Sequence, residues 1–365
     1  MRPLVSVIIQ SYNSARYIEK CLDSLFAQNY PNFEVIAIIN GSEDGSLQLI
    51  KKKYSRVKKL KIMEPGENTF YSRGNNLGIV ASQGEYILAL NQDTVLEPRF
   101  ISTLIAEMEN DPRLGSVSGK LLHYNYSFDS KTKILDSTGI EMFKTRRLID
   151  RGQWEQDFRQ YDNDREIFGA SGAAAVYRRS ALEAVKLPKL DGLERSNLAT
   201  LSPYGRGGTK TSVGVGEGFE YFDEDFVAYK EDADLAWRLQ LAGFRCRYVP
   251  EAVLYHGRTV GRSWPTQLIR FILNRRRQSR LVRKRSFKNH YLMMVKNETK
   301  ELFWRHILFI FIREILLLVY TIFFEPFQIF ALIEFFHQLP EAQRKRKLIM
   351  ANVKVDPRFL RKLFH

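Results

Sequence analysis

Alternating strand and helix signals in residues 4–90 constrain the fold more than any other feature of the chain. Residues 4–9 (LVSVII), 33–39 (FEVIAII) and 85–90 (EYILAL) are apolar runs of strand length. Residues 14–28, between the first two runs, carry apolar side chains at helical spacing. Strand–helix–strand units of this kind place neighbouring strands in parallel. The pattern therefore predicts an α/β domain with a mostly parallel central sheet and flanking helices.

The middle of the chain extends this domain. Residues 230–244 (KEDADLAWRLQLAGF) are predicted to form a helix, and residues 245–256 (RCRYVPEAVLYH) to form a strand. Between the two halves, residues 189–220 are polar and rich in glycine, which predicts a long inserted loop. Long loops of this kind are often lids over a site, and this is our hypothesis for the insertion. We therefore expect one domain over residues 1–264, with this insertion, and a separate region over residues 265–365.

The C-terminal region differs from the rest of the chain in charge. Residues 257–365 hold 23 Lys or Arg and 7 Asp or Glu, whereas the formal charge of the whole chain is +15. A nearly neutral domain joined to a basic tail indicates an anionic partner, either nucleic acid or a membrane surface. Residues 301–336 are apolar and aromatic, and nucleic acid would have no use for them. The tail therefore favours a membrane and no nucleic acid.

The apolar segment is interrupted by charges at Arg305, Arg313 and Glu314. The uncharged stretch after them, residues 315–324, is half as long as the roughly 20 residues that a spanning helix needs. Basic, aromatic helices lying in the membrane interface are therefore expected.

The two cysteines predict no disulfide framework, and the apolar run at the N-terminus is too short for a signal peptide. We expect a cytoplasmic protein, peripheral on the inner face of the cell membrane.

Polar residues follow three of the predicted strands. They are Ser11-Tyr12-Asn13, Asn40-Gly41-Ser42-Glu43-Asp44-Gly45 and Asn91-Gln92-Asp93. Ligands of parallel sheets bind outside the carboxyl ends of the strands, so these clusters are expected to meet at one edge. Each cluster taken alone is also explained by turn formation. Three clusters at strand ends together indicate a polar ligand site.

These segments together resemble the family 2 glycosyltransferases, which have the GT-A fold, over roughly residues 4–295. Bacterial rhamnosyltransferase-like members are the most similar. The segments that carry the resemblance are VSVIIQSYNSARYIEKCLDSLFAQNYPNFEVIAIINGSEDGS, RGNNLGIVASQGEYILALNQDTVLEP, FGASGAAAVYRRSAL, YKEDADLAWRLQLAGFRCRYVPEAVLYH and the weaker KNHYLMMVKN. The resemblance implies a GT-A domain followed by a basic, amphipathic, membrane-associating helical region.

The resemblance also implies an activity and its residues. The expected reaction is inverting transfer of a sugar, rhamnose among the candidates, from a nucleotide-diphosphate donor to a hydroxyl of a lipid-linked or cell-surface glycan. Asp93 and His256 are the implied ligands of a divalent metal, Mn²⁺ or Mg²⁺. Asp232 is the implied general base, with Glu231 beside it. The implied donor-binding residues are Ser11, Tyr12, Asn13, Asn40, Asp44, Arg73, Asn76, Asn91 and Gln92. The oligomeric state is left open.

Each of these residues also has a structural explanation. His256 fits a packed histidine at a strand end, Arg73 a solvated helix charge, and Glu231 an ordinary first-turn residue. Two positions depart from the family pattern: Asn91 stands where an acid is usual, and Ile39 where many relatives carry Asp. An inactive membrane scaffold with this fold is therefore an alternative. A transferase that uses a polyprenol phosphate as the acceptor is another.

Overall fold

The computed structural model describes residues 2–189, 218–258, 275 and 278–365, and two sets of elements make up this part of the chain. The strands are β1 Val5–Ser11, β2 Phe33–Ile39, β3 Leu60–Met63, β4 Tyr86–Asn91, β5 Thr94–Leu96, β6 Leu114–Asn125, β7 Ser130–Ser137, β8 Ile140–Met142, β9 Leu148–Asp150, β10 Glu166–Ile167, β11 Ala174–Arg178, β12 Leu187–Pro188, β13 Phe219–Glu220 and β14 Arg245–His256. The helices are α1 Ile18–Phe26, α2 Ser46–Tyr54, α3 Phe70–Ala81, α4 Phe100–Asn110, α5 Arg179–Val185, α6 Glu231–Leu241, α7 Arg280–Asn297, α8 Lys300–Phe324, α9 Ile329–Ala351 and α10 Pro357–Leu360.

One large sheet organises the domain, with the strand order β10-β14-β6-β11-β4-β1-β2-β3. The run β4-β1-β2-β3 is parallel, as predicted, and so is the pair β6–β14. Strand β11 lies antiparallel between β4 and β6, so the sheet is mixed. Ser11 is opposite Ile39 and Gln10 is opposite Asn91, which brings the carboxyl ends of β1, β2 and β4 to one edge. The prediction that the polar clusters meet at one edge is confirmed.

Helices cover both faces of this sheet because the strands are apolar on both sides. Val7 and Ile9 of β1 point to the face that packs against α1, α2 and α4. Ile8, between them in the strand, points to the opposite face with α3, α5 and α6. Both cysteines, Cys21 and Cys246, are buried and free, as expected.

The C-terminal helices share a core with the sheet domain. Met293 of α7, Leu302 of α8 and Ile349 of α9 lie in one buried cluster with Trp237 of α6 and Cys246 of β14. The predicted boundary between residues 264 and 265 lies outside the described residues, as does most of the insertion over residues 189–220. The shared core fixes the last helices against the helix that carries the predicted base.

Helix α8 is the exception to this burial. In the described parts of the chain it is the one helix long and apolar enough to cross a membrane by length and composition. Only 17% of its most apolar 18-residue window is buried against the rest of the protein. Its exposed apolar side chains include Leu308, Phe311, Leu316 and Phe323. A helix of this kind fits a membrane-associating region.

Candidate active site

Hydrogen bonds join the loops after β1, β2 and β4 into one continuous surface, which we call the floor of the site. The N–H of Tyr12 donates to Oε1 of Gln92 at 2.7 Å, and Nε2 of Gln92 donates back to the Tyr12 carbonyl at 3.1 Å. Asn13 accepts from the N–H of Glu43 at 3.0 Å, with φ of +47° at Asn13. The Ser11 hydroxyl is buried and lies 2.6 Å from the hydroxyl of Ser14. The ring of Tyr12, by contrast, is exposed above this floor.

Three of the predicted donor-binding residues, Asp44, Asn40 and Arg73, bind other groups of the protein. Both oxygens of Asp44 accept backbone N–H groups, from Ala15 at 2.7 Å and Ser46 at 3.1 Å. Burial opposes the charge of Asp44, but these two hydrogen bonds keep its pKa below the usual value. The buried Asn40 accepts from the N–H and the hydroxyl of Thr69. Arg73 is partly exposed and forms an ion pair with Glu67 at 2.5 Å.

Asn76 makes its hydrogen bonds inside the protein. Its side chain is buried, and its Nδ2 donates to the Phe222 carbonyl at 2.8 Å and to Glu224 at 3.1 Å. Its Oδ1 accepts from the N–H groups of Tyr221 and Phe222. All the hydrogen-bonding groups of this amide are therefore used within the protein. Asn76 anchors the segment that leads towards α6, and its contact with the donor stays a prediction.

Asp93 and His256 meet at the sheet edge, as the resemblance implied. Nε2 of His256 lies 3.3 Å from Oδ1 of Asp93, and the amide of Asn91 is 3.4 Å from the same nitrogen. Nδ1 of His256 is held at 2.8 Å by Asp136, which is fully buried. Burial alone would lower the pKa of His256, but Asp93 and then Asp136 raise it to about 10. The imidazole is thus fixed with one nitrogen aimed at Asp93.

This geometry suits a divalent metal in part. A histidine whose second nitrogen is fixed by a carboxylate is a common metal ligand, and Asp93 supplies oxygen. In the described residues, no group of three or more His, Cys, Asp or Glu side chains could hold a metal ion. Asp93 and His256 fit a metal that takes its remaining ligands from a bound diphosphate.

A line of charges connects this pair to the predicted base. Arg258 lies 2.6 Å from Asp136 and also 2.6 Å from Asp150. Burial opposes the charge of Asp136, but Arg258 and His256 keep its pKa below the ordinary value. The charge of Asp150 in turn raises the pKa of Asp232. The metal pair and the predicted base therefore belong to one electrostatic unit.

Glu231, which is buried, and Asp232, which is half-buried, start helix α6. Oδ2 of Asp232 accepts from the N–H of Gly172 at 3.1 Å, and Oδ1 accepts from the N–H of Ala233 at 2.8 Å. Burial, and then Asp150, raise the pKa of Asp232. Burial, and then Asp232, raise the pKa of Glu231 to about 8. Oε2 of Glu231 is buried and has no hydrogen-bond partner among the residues that the structure describes. Two adjacent carboxyl groups with raised pKa values are suited to accept a proton near neutral pH.

The backbone before α6 is strained and is held from the C-terminal region. Val227, Tyr229 and Lys230 all have positive φ, between +64° and +74°. Strain of this kind persists only where the surroundings enforce it. Nδ2 of the buried Asn289, on α7, lies 2.8–2.9 Å from the carbonyl oxygens of Phe226, Ala228 and Tyr229. Helix α7 therefore helps to set the position of the base.

Several residues of this site carry no clear signal in the sequence. Asp136 lies 120 residues before its partner His256, and Asn289 lies 60 residues after its partner Tyr229. Arg258 could have been noticed because it follows His256 by two positions. Asp234, by contrast, pairs with Arg238 at 2.9 Å, which is the structural i,i+4 pair that the sequence indicates.

The N-terminal half of the chain matches a known protein family. Residues 6–186 match the family described as Glycosyl transferase family 2. This segment belongs to glycosyl transferase family 2. A crystal structure of GalNAc-T7 with UDP, GalNAc and Mn²⁺ superposes with a TM-score of 0.59 and 11% identity, over 99% of this chain and 57% of that chain. At this identity the likeness concerns the fold alone, and it confirms the GT-A fold.

Curated relatives of the family 2 segment are glycosyltransferases. Glycosyltransferase GlyG of Streptococcus pneumoniae is 24% identical over 164 residues, which are 42% of this chain and 52% of that protein. Poly-beta-1,6-N-acetyl-D-glucosamine synthase of Staphylococcus epidermidis is 23% identical over 267 residues, 71% of this chain and 52% of that protein. The chain spans about half the length of these two relatives.

Proposed function

We propose that the protein transfers a sugar from a nucleotide-diphosphate donor to a hydroxyl group of a glycan acceptor, with inversion at the anomeric carbon. The observation that carries the proposal is the line of charges from Asp93 and His256 to Asp232. It connects a site for the leaving diphosphate to a base for the incoming hydroxyl. Rhamnose as the sugar is supported only by sequence resemblance. A lipid-linked or cell-surface acceptor is supported by that resemblance and by the exposed apolar helix α8.

In this mechanism Asp232 accepts the proton of the acceptor hydroxyl. The oxygen attacks the anomeric carbon, and the bond from that carbon to the diphosphate breaks with its electron pair on the diphosphate. Asp93 and His256 would hold a divalent metal, which neutralises charge on the leaving group when bound. Burial and the charge of Asp232 raise the pKa of Glu231 to about 8, so Glu231 holds a proton beside the base near neutral pH. The floor formed by Tyr12, Asn13 and Gln92 borders the donor.

The donor is tested with purified protein, Mn²⁺ or Mg²⁺, and a panel of nucleoside diphosphates. A nucleotide that binds the folded state raises the melting temperature, and the effective base names the donor class. Hydrolysis of the matching nucleotide sugar separates an enzyme from an inactive scaffold. If no nucleotide shifts the melting temperature and no donor is hydrolysed with either metal, the proposal fails.

Asp93→Ala is expected to weaken metal-dependent nucleotide binding by at least about tenfold, since one of two protein ligands is removed. The measurement is a metal titration of nucleotide affinity. Asp356→Ala is the matched control, because Asp356 is exposed and pairs only with its neighbour Arg358 in the described structure. A titration of Asp93→Ala that overlays the wild type would contradict the metal assignment.

We also propose that α8 binds the membrane interface, on the cytoplasmic side. Leu316→Glu with Phe323→Glu should abolish binding to vesicles that contain phosphatidylglycerol, because charge is placed on the side that would meet lipid. These side chains are 64% and 74% exposed, so the fold should tolerate the change. Phe128→Glu with Phe158→Glu is the matched control, at 81% and 80% exposure in the sheet domain. Equal vesicle binding by the two double variants would argue against this role for α8.

A further inference from the structure

Four cationic side chains surround the N-terminus of α6, and none of them has a role in the reaction described above. We call them the cation cluster: Lys230, Arg147, Arg285 and Arg313. Arg313, on α8, donates to Nε2 of the buried His290 at 2.9 Å and forms an ion pair with Glu314. Burial, and then the charge of Arg313, lower the pKa of Lys230 to about 8. Burial, and then the charge of Arg313, also lower the pKa of Arg147. The cluster therefore concentrates positive charge in one place.

Little of this positive charge is neutralised by direct ion pairs. Within the described parts of the chain, Lys230, Arg147 and Arg285 form no ion pair with a carboxylate. The neighbouring His290 accepts a hydrogen bond from Arg313, and burial keeps its pKa well below the usual value, so the ring is neutral and supplies no counterion. Lys230 and Arg285 are half-buried, whereas Arg147 is exposed. A half-buried cation without a direct ion pair is costly, because it has lost part of its hydration. A bound anion would remove this cost.

The cluster lies beside the proposed base. Lys230 precedes Glu231 and Asp232 in the chain and interacts with both electrostatically. The guanidinium of Arg285 stacks at 4.8 Å from the ring centre of Phe70. The next residue, Tyr71, donates to the Gly172 carbonyl at 2.6 Å, and the N–H of Gly172 donates to Asp232. An anion held by the cluster would be close to Asp232.

The cluster also lies beside the apolar surface. Arg313 is on α8 between the exposed Ile312 and Ile315. Asp93 and His256 are separated from Asp232 by Asp136, Arg258 and Asp150, so the donor diphosphate has a site of its own. An anion at the cluster would instead be the head group of a lipid. The apolar part of that lipid would lie against α8. Guanidinium groups recognise phosphate oxygens particularly well.

We propose that the cation cluster binds the phosphate or diphosphate group of a lipid-carried acceptor and so presents the acceptor hydroxyl to Asp232. The inference rests on the proposed function, since it names the acceptor class for the same reaction. It adds a second phosphate site, distinct from that of the donor. A membrane headgroup carries similar chemistry, and the experiment separates the two sources.

The test measures binding of farnesyl diphosphate in detergent micelles and, separately, of phosphatidylcholine vesicles that contain phosphatidylglycerol. Arg147→Gln with Arg285→Gln should weaken farnesyl diphosphate binding by at least about tenfold, because two charge-assisted contacts are lost. Vesicle binding should change less than threefold, since α8 is intact. Arg56→Gln with Arg99→Gln is the matched control, because both arginines are exposed and far along the chain from α6. Lys230→Arg, which keeps the charge, should retain more farnesyl diphosphate affinity than Lys230→Met.

Two results would overturn the inference. One is farnesyl diphosphate binding that is equal in the wild type and in Arg147→Gln with Arg285→Gln. The other is a loss of vesicle binding as large as the loss of farnesyl diphosphate binding, which would assign the cluster to membrane headgroups. Nucleotide binding with Mn²⁺ is measured on the same samples. If it is absent in the wild type while farnesyl diphosphate binding depends on the cluster, the proposed transfer fails and the anion site stands.

Discussion

Asp232→Asn should lower kcat by about 10²–10⁴-fold, because positioned general bases contribute roughly that factor. The substitution keeps the size of the side chain, and its oxygen can still accept from the Gly172 N–H. Asn cannot take the proton of the acceptor hydroxyl at neutral pH. Nucleotide affinity should stay within about threefold of the wild type, since Asp232 is not a metal or donor ligand in this proposal.

The pH profile gives a second readout of the same base. Burial and Asp150 raise the pKa of Asp232, and the pKa of Glu231 is raised to about 8. A base works only when deprotonated, so activity should fall as the pH falls through these raised values. The acidic limb should therefore lie well above the ordinary range of a carboxylic acid. Asp150→Asn should move this limb to lower pH, because the negative charge that raises the pKa of Asp232 is removed.

The control for Asp232→Asn is Glu85→Gln, which changes an exposed carboxylate just before the start of β4. It should leave kcat and the pH profile as in the wild type. Loss of nucleotide affinity in Asp232→Asn as large as the loss of kcat would mean that Asp232 serves donor binding and not proton transfer.

The edge of the sheet could be predicted because it follows from local patterns. Each strand is an apolar run, and parallel connection brings the strand ends together. Asp93 and Asn91 end one such strand, so their place next to Ser11 needed no knowledge of distant contacts. The pairing of Asp93 with His256 came from resemblance, since 163 positions separate the two in the chain.

Roles that depend on tertiary contact could not be predicted. Asn76 lies in a segment that resembles donor-binding sequences, yet its amide is used by Tyr221, Phe222 and Glu224, some 145 residues later. The basic composition of α7 also gives no indication of its structural role. Lys296 lies on a helix whose first half is rich in Arg and Lys, a pattern typical of solvated charge, but its side chain is fully buried. Only the fold brings it to the acids that surround it.

Those acids form a buried charge cluster that joins the C-terminal helices to the segment before α6. Nζ of Lys345, on α9, lies 2.6 Å from Glu220, 2.7 Å from Asp223 and 2.8 Å from Asp225. Lys296, on α7, also pairs with Asp223 and Asp225. Charges buried to this degree are tolerated only when they are paired. Three carboxyl groups depend on two ammonium groups here.

Lys345→Met should lower the free energy of unfolding by about 3–5 kcal/mol, the usual cost of breaking a buried ion pair from one side. Methionine fills much of the space of lysine, so the loss reports on charge and not on a cavity. Lys347→Met, an exposed position two residues later on α9, is the matched control and should stay within about 0.5 kcal/mol of the wild type. The measurement is denaturant unfolding of all forms at the same pH.

Two further comparisons attribute the loss to charge. Glu220→Gln combined with Lys345→Met should recover part of the stability, since a carboxylate that has lost its contact with the Lys345 charge is removed. Burial already raises the pKa of Glu220 to about 7, and loss of the Lys345 charge should raise it further. A carboxyl group whose folded pKa is raised binds protons more readily when folded, so its folded form loses stability as the pH rises. The deficit of Lys345→Met should therefore grow as the pH rises through about 7. A deficit that does not change with pH and is not relieved by Glu220→Gln would mean that packing around Lys345, and not its charge, holds the C-terminal helices to the catalytic domain.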